Sequence, residues 1–339
     1  MGSPFLLAHG LGIPVKDAST QVVIKKKGTW HVYVRTWNWC APWKTKEKPG
    51  RFQLHVNGKP LDNELGLGDQ WDWEYAGSVD IQNATNTITL HDLTGFEGRC
   101  DAILFTQTQE DRLPNEGNQL YQFRKKLLGL PDKPADGGTY DLVVVGAGTA
   151  GLSAAIKGAR EGLKVALIHD RPVPGGNNSV EVKVVASGEL NKAPYPRLGD
   201  VIKEIKNVYS HPQEVDDMIK AEKNLSFFPN MHVSSLEMDG HRIKSAIARH
   251  IENGSESVFY APLFVDCTGD GNVGYLAGAE YRVGRETRPE TRETLAPDRS
   301  DNIVLGTSLT WRSREDAQAV VFPDCEWAIQ FNDGSCEKV

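Results

Sequence analysis

The sequence predicts a multidomain chain in which an all-β domain precedes an α/β domain. The first 110 residues contain short runs with strand-like alternation, separated by turn signals such as Asn57-Gly58. From Thr139 onward, an apolar strand is followed by a glycine-rich turn, a helix with small residues and a second strand. A chain of 339 residues is long enough for about two domains, each with its own core.

The strand-like runs of the first part are spaced as in an antiparallel β-sandwich or jelly roll. They are Gln21–Ile24, Thr29–Trp37, Arg51–Val56, Trp71–Tyr75, Ser78–Ile81, Thr87–Leu90 and Ala102–Phe105. Six of the eight tryptophans also lie here, at Trp30, Trp37, Trp39, Trp43, Trp71 and Trp73. Core packing is the favoured interpretation, because tryptophan is usually largely buried. Aromatic faces can also stack on sugar rings, and the loop Trp39–Trp43 is then the preferred exposed binding edge.

The chain is divided by changes in composition. We expect a β-sandwich over residues 1–110 and, over 111–138, a short helix around Leu120–Leu128 followed by a Pro/Asp/Gly linker. The α/β domain is expected over 139–286, and an irregular segment over 287–339. Within the α/β domain, the sequence favours helices at Leu198–Val208 and Glu214–Asn224. It favours a small meander that begins at Leu225–Phe228 and one strand over Phe259–Asp266.

The turn after Leu142–Val145 has the spacing that a dinucleotide loop needs. It reads G-x-G-x-x-G over Gly146, Ala147, Gly148, Thr149, Ala150 and Gly151. The first glycine permits the tight turn, the second lets a diphosphate approach the backbone, and the third allows the helix to pack closely on the strand. The helix start then offers free N–H groups and a positive dipole end to an anion.

Composition excludes several classes of protein. The net charge of -7 and the pI near 5.8 argue against a general nucleic-acid binder. The five cysteines are odd in number and lack C-x-x-C spacing, so neither a zinc site nor a disulfide framework is expected. No apolar run approaches the length of a membrane span, and no signal peptide is recognised, so a soluble chain is expected.

Three ordered motifs resemble those of FAD-dependent oxidoreductases with the glutathione-reductase type of FAD domain. They are VVVGAGTAGLSAAIKGAREGLKVALI, the pair Gly175-Gly176 and the late element FVDCTGDG. The resemblance implies FAD as the cofactor, with its pyrophosphate on Gly146–Gly151. Its flavin end would lie near Gly175, Gly176, Asn177, Asn178 and Ser179. The turn Thr268, Gly269 and Asp270 would approach the cofactor, and the backbone of Val233 would read the adenine.

The sequence departs from the family at the end of the second strand. The family usually has a glutamate there for the adenosine ribose, whereas this chain has His169, followed by Asp170 and Arg171. Asp170 lies about 20 residues beyond the glycine loop and can accept the ribose hydroxyls. His169 could instead donate to them, or both residues could simply end the strand at the surface.

The phrases LHDLTGFEGRCDAI and RPVPGGNNS further resemble a bacterial subgroup that joins a sugar-binding-like sandwich to the FAD domain. This resemblance implies hydride transfer from a sugar-like or other polyhydroxylated substrate to flavin. Two alternatives stay open, a nicotinamide-dependent dehydrogenase and a non-catalytic carbohydrate-binding protein. No catalytic base is assigned, since Glu181 and Lys183 face either the pocket or solvent. Because the family normally returns to its nucleotide sheet near the C-terminus, the FAD domain is expected to be incomplete here.

Overall fold

The computed structural model describes residues 5–10, 12–38, 48–188, 192–197, 199–205, 207–304 and 317–318. The described chain divides into two compact units, one ending at Leu128 and the other beginning at Gly129. The expected binding edge at Trp39–Trp43 lies outside the described residues, as does most of the expected irregular segment beyond position 304.

The first unit consists of two four-stranded antiparallel sheets and one helix. Its elements are β1 (Leu6–His9), β2 (Ala18–Val23), β3 (Gly28–Thr36), β4 (Phe52–Val56), β5 (Lys59–Leu65), β6 (Asp72–Ile81), β7 (Thr85–Asp92), β8 (Phe96–Thr106) and α1 (Gly117–Leu127). One sheet has the order β1-β8-β3-β6 and the other the order β2-β7-β4-β5. Every strand pair within these two sheets is antiparallel.

A shared core between the two sheets follows from the two-residue period of the strands. Val32 and Val34 of β3 are fully buried, and Leu54 of β4 is buried in the same cluster. Alternate residues of a strand point to opposite faces, so the intervening side chains lie on the outer faces. Cys100 belongs to this core, and burial raises the pKa of its thiol to about 12.

The runs Trp71–Tyr75 and Ser78–Ile81, expected as separate strands, form one strand, because β6 continues through Ala76-Gly77. Gly77 has a φ of +137°, and the pairing with β3 shifts by one residue opposite Val32 and Tyr33. A Cβ at Gly77 would lie 3.0 Å from the backbone nitrogen of Asp62. The glycine therefore marks a β-bulge within a strand. The short strands β1 and β5 were not anticipated from the sequence pattern.

The segment that contains α1 docks on the outer face of the β1-β8-β3-β6 sheet. Asp101, with a side chain only 3% exposed, accepts hydrogen bonds from Arg35 Nη1 at 2.8 Å and Arg124 Nη1 at 2.9 Å. Trp73 Nε1 donates to the carbonyl oxygen of Pro114, and Arg35 Nε donates to Asn115 Oδ1. Residues up to the end of α1 thus belong to the first unit and do not act as a free linker.

The second unit has two further four-stranded sheets. Its strands are β9 (Ala135–Thr139), β10 (Leu142–Val145), β11 (Val165–Ile168), β12 (Leu225–Phe228), β13 (Met231–Asp239), β14 (Arg242–His250), β15 (Glu256–Tyr260) and β16 (Leu263–Asp266). Its helices are α2 (Thr149–Arg160), α3 (Asp200–Ile205), α4 (Pro212–Ala221), α5 (Asn272–Leu276) and α6 (Arg288–Thr291). The parallel sheet has the order β12-β11-β10-β16, and the other sheet has the order β13-β14-β15-β9.

The central strand β10 is buried on both faces, which accounts for its unbroken apolar sequence. Val144 packs on one side with Leu152 and Ile156 of α2. Val143 packs on the other side with the β13-β14-β15-β9 sheet, in the cluster that contains Val233. The parallel sheet is therefore the middle layer of the second unit, and its strands end at the glycine loop.

Several predicted elements of the second unit need correction. The expected linker tract contains β9, which pairs in parallel with β15. The strand Leu225–Phe228 belongs to the parallel sheet rather than to the meander. The expected strand Phe259–Asp266 is interrupted at Ala261-Pro262, so its two ends lie in different sheets. The helix expected over Leu198–Val208 is shorter and covers Asp200–Ile205.

We expect Asp101→Asn to lower the free energy of unfolding of the first unit by about 3 kcal/mol, because two partly buried guanidinium groups lose their counter-charge. Urea unfolding followed by tryptophan fluorescence measures this change. Glu64→Gln is the matched control, since the Arg51–Glu64 pair is exposed and worth at most about 1 kcal/mol. Equal losses of stability in the two variants would contradict a stabilising role of the Asp101 carboxylate.

Candidate dinucleotide site

Two glycines of the loop after β10 are required by close backbone packing. Gly146 has a φ of +98°, and a Cβ there would lie 2.2 Å from the carbonyl oxygen of Cys267. A Cβ at Gly151 would lie 1.7 Å from the carbonyl oxygen of Gly146. No side chain fits at either position, so the loop can form only with glycine there.

Gly148 is different, because the space above it is open. A Cβ at Gly148 would meet no described atom within 4 Å, and the residue has a φ of -65° and a ψ of 178°. It is the N-cap residue of α2, which begins at Thr149. The first N–H groups of the helix have no intrahelical partner and carry its positive dipole end. The residues Gly148, Thr149 and Ala150 thus form an open cradle for an anion.

The glycine pair Gly175-Gly176 lies against this cradle. The backbone of Gly175 donates to the carbonyl oxygen of Ala147 at 2.7 Å, and Gly175 forms a bridge with Gly148. A Cβ at Gly176 would be only 3.1 Å from the Cα of Gly148. Both glycines have positive φ values, so the turn reaches the loop without side chains between them.

His169 is buried, with 5% of its surface exposed, and both of its ring nitrogens have partners within the protein. The N–H of Ala147 donates to Nδ1 at 3.1 Å, and Nε2 lies 3.1 Å from the carbonyl oxygen of Val173. The carbonyl of Val173 can only accept, so Nε2 carries a proton. Nδ1 accepts from the N–H of Ala147 and carries none, so the ring is neutral. Burial lowers the pKa of His169, although Asp170 and the Val173 carbonyl act in the opposite direction. The alternative in which His169 donates to a ribose does not match this geometry.

Asp170 remains available to accept a hydrogen bond from a ribose hydroxyl. Its side chain is 41% exposed, and its carboxylate lies 3.7 Å from Nδ1 of His232 and 3.7 Å from Nδ1 of His169. The interaction with His232 holds the pKa of Asp170 below its usual value, against the opposing effect of burial. Asp170 is therefore an ionised acceptor at the end of β11. Arg171, by contrast, directs its guanidinium toward Glu181, with Nη1 and Oε2 separated by 3.4 Å.

The three residues after the glycine pair have unequal roles. The side chain of Asn178 is buried, donates to the carbonyl oxygen of Val184 and accepts from the N–H of Val208. Ser179 is fully buried, and its Oγ accepts from the N–H of Glu181. Asn178 and Ser179 therefore fix the loop, whereas Asn177 is exposed. Lys183 has a φ of +63°, so the backbone is not extended at this position.

The turn after β16 is held by Asp266, a residue that the motif analysis did not select. Oδ1 of Asp266 accepts from both the N–H and the Oγ1 of Thr268, and Oδ2 accepts from the N–H of Gly274. Burial acts to raise the pKa of Asp266, but these hydrogen bonds outweigh it and lower the pKa. Gly269, with a φ of +83°, and Asp270 are exposed at the tip of the turn.

A hydrogen-bond chain joins this turn to the strand in which adenine contact was expected. Thr268 Oγ1 accepts from the N–H of Asn272, and Asn272 Nδ2 donates to the carbonyl oxygen of Val233 at 2.9 Å. Val233 itself is buried in the core. Its carbonyl oxygen is thus already used by the protein. Asn272 was not selected from the sequence, although it follows the TGDG element directly.

Cys267 packs beside the glycine loop. Its Cβ would be 3.2 Å from a Cβ placed on Gly151, and burial raises the pKa of the thiol.

Within the described ranges, no group of three or more His, Cys, Asp or Glu side chains is arranged to hold a metal ion. None of the described helices is long and apolar enough to cross a bilayer.

The open cradle at Gly148, the neighbouring glycine turn and the ionised Asp170 fit an extended dinucleotide with a diphosphate at its centre. These features define a dinucleotide-binding α/β unit. A family model described as FAD dependent oxidoreductase matches residues 141–332, more than half of the chain. The chain therefore belongs to the FAD-dependent oxidoreductase family, whose cofactor is FAD.

Two curated proteins are similar to parts of the chain. All-trans-zeta-carotene desaturase from Myxococcus xanthus is 27% identical over 175 residues, which cover 47% of this chain and 32% of the desaturase. NADH:fumarate oxidoreductase from Klebsiella pneumoniae (strain 342) is 29% identical over 161 residues, which cover 44% of this chain and 16% of that enzyme. The chain thus spans a third or less of the curated relatives that it matches.

Among solved structures, a flavoprotein/dehydrogenase from Cytophaga hutchinsonii aligns with a TM-score of 0.34 and 16% identity. The alignment covers 44% of each chain. THI4 from Thermovibrio ammonificans also aligns with a TM-score of 0.34 and 16% identity, covering 53% of this chain and 80% of that one.

We expect Gly148→Val to abolish FAD retention while the fold persists, because the new side chain would enter open space at the diphosphate position. The visible flavin absorbance after purification and the thermal unfolding midpoint measure the two effects separately. Gly151→Val is the contrasting variant, since its side chain would collide with the backbone of Gly146 and lower the midpoint. Retention of FAD by Gly148→Val would refute this location for the diphosphate.

Proposed function

We propose that the chain binds FAD at the loop after β10 and forms part of an oxidoreductase that removes hydride from a sugar-like or other polyhydroxylated compound. The observation that carries the proposal is the open cradle at Gly148, which lies at the N-terminus of α2 and beside Gly175. The family match supports FAD over a nicotinamide dinucleotide. By their names, both curated relatives are redox enzymes.

The residues of the chain bind and orient the cofactor in this proposal. The N–H groups at the start of α2 bind the diphosphate, and the carboxylate of Asp170 accepts from the adenosine ribose. Asn178 and Ser179 hold the turn in place near the flavin end, and the exposed Asn177 contacts the cofactor or substrate there. When bound, FAD supplies the hydride acceptor, so the protein contributes position and electrostatics.

The proposed sugar-like substrate is supported by an aromatic cluster in the first unit. Phe5, Trp37 and Trp71 lie at one end of the β1-β8-β3-β6 sheet, with ring centroids 5.2 Å apart for Phe5–Trp71 and 5.8 Å for Trp37–Trp71. Arg99 lies over the ring of Trp37, with Cζ 4.7 Å from its centroid. Partly exposed rings with polar neighbours suit stacking on sugars. We infer that the two sheets form a β-sandwich that binds carbohydrate.

The direct test of FAD binding is the visible spectrum of the purified chain, followed by release of the cofactor on denaturation. We expect flavin bands and free FAD in the supernatant. A colourless protein that cannot be reconstituted with FAD but still binds polysaccharide would favour the non-catalytic alternative.

We expect Asp170→Asn to weaken FAD binding by about tenfold. A hydrogen bond from the ribose to the ionised carboxylate is about 1.5 kcal/mol stronger than one to a neutral amide. Fluorescence titration of the apoprotein with FAD gives the dissociation constant. Glu181→Gln is the matched control, because Glu181 contacts Arg171 at the surface. A similar loss in both variants would argue for a general charge effect instead of a ribose contact.

We expect Trp71→Ala to reduce binding of the first unit's preferred polysaccharide, because the aromatic cluster loses its central ring. Affinity electrophoresis in gels that contain different polysaccharides measures the retardation. Trp30→Phe is the control, since Trp30 packs against the core between the sheets. If no polysaccharide retards the unaltered protein, the carbohydrate-binding proposal fails.

A further inference from the structure

The peptide group of Ala147 is held from both sides, immediately before the open position at Gly148. Its N–H donates to Nδ1 of His169, and its carbonyl oxygen accepts from the N–H of Gly175. The opposite side of the His169 ring reaches the carbonyl oxygen of Val173. A single buried ring therefore joins the loop after β10 to the loop after β11.

We propose that His169 is the positioning residue of the diphosphate site, because its neutral ring fixes the orientation of the Ala147 peptide and with it the backbone of Gly148. This inference rests on the proposed function, in which the ligand of the site is FAD. It assigns His169 a role different from the ribose contact that the family's glutamate suggests. Both ring nitrogens bond to the protein, so the ring would act on a bound cofactor through the backbone of Ala147 and Gly148.

Protonation of His169 would break this arrangement. A second proton would have to occupy Nδ1, where it would face the N–H of Ala147, and two donors cannot share a hydrogen bond. The hydrogen bond would be lost, and the glycine loop would no longer be held in position. Affinity for the diphosphate should therefore fall as the ring becomes charged.

The charged groups around the ring come from three parts of the chain. The carboxylate of Asp170, 3.7 Å from Nδ1 of His169, raises the pKa of the ring, and Glu181 does so more weakly. Arg171 lowers it. His232 on β13 reaches His169 only through the shared carboxylate of Asp170. The loop Gly146–Ala150 presents no ionisable side chain.

The direction of the pH effect distinguishes positioning from simple charge attraction. The ring accepts the Ala147 N–H at Nδ1, and burial lowers the pKa of His169 below its ordinary value near 6.5, so the ring is neutral at neutral pH. If the ring acted only as a positive charge near a diphosphate, FAD would bind more tightly as the pH fell. The positioning role requires the opposite, weaker binding at low pH.

The first experiment measures the dissociation constant of FAD between about pH 5 and pH 8 for the unaltered chain, His169→Gln and His232→Gln. We expect the constant of the unaltered chain to rise about tenfold at the acid end, the cost of one lost hydrogen bond. His169→Gln, whose amide can accept and donate without ionising, should lose this rise, and His232→Gln should keep it. A rise shared equally by the unaltered chain and His169→Gln, or tighter binding in acid, would overturn the proposal.

The second experiment needs no FAD, so it separates failure of the inference from failure of the proposed function. Nitrogen-15 NMR of the apoprotein reports the tautomer of His169, and hydrogen exchange reports the protection of the Ala147 N–H. We expect the Nε2–H tautomer and a protected amide that becomes unprotected in His169→Ala. An Nδ1–H tautomer or an unprotected amide in the unaltered chain would contradict the positioning role, whether or not FAD binds.

Discussion

Close approach of backbone segments around the glycine loop constrains the whole second unit. The start of α2 lies against the carbonyl of Gly146, and the end of β16 lies against the same turn. These contacts leave no room for a Cβ at Gly146 or Gly151, so the helix can meet the parallel sheet at this short distance only with glycine at both positions. The direction of α2, and therefore the position of its free N–H groups, follows from this packing. The glycine pair at Gly175 and Gly176 completes the same surface from the neighbouring strand.

The sequence predicted the parts of this site that depend on local chemistry. The strand Leu142–Val145, the loop Gly146–Gly151 and the helix α2 follow from apolar runs, glycine spacing and small residues, all within a short stretch of chain. The family resemblance placed Gly175 and Gly176 near the cofactor, but the approach of Gly175 to Gly148 was not predicted. No local pattern indicates that two loops will share a bridge, because that contact depends on the order of strands in the sheet.

Other features could not be read from the sequence because they depend on tertiary pairing. The linker tract before Thr139 has turn-forming composition, yet β15 offers it an unpaired edge, and it becomes β9. The run Phe259–Asp266 looks continuous, but Ala261-Pro262 divides it between two sheets. The role of His169 was missed for the same reason, since both of its partners are backbone groups of loops that the fold brings together. The hydrogen bonds of Asn272 and Asp266 were not predicted either. Each side chain bonds to a backbone group that a sequence motif does not identify.

The position of β9 has a practical consequence for dissecting the protein. A fragment that began at Thr139, where the dinucleotide motif starts, would lack nearly all of this edge strand. The backbone of β15 would then be unpaired on one side, and such open edges promote association between molecules. The division between Leu128 and Gly129 is the better place to cut. A second unit that begins at Gly129 keeps β9, so the edge of β15 stays covered.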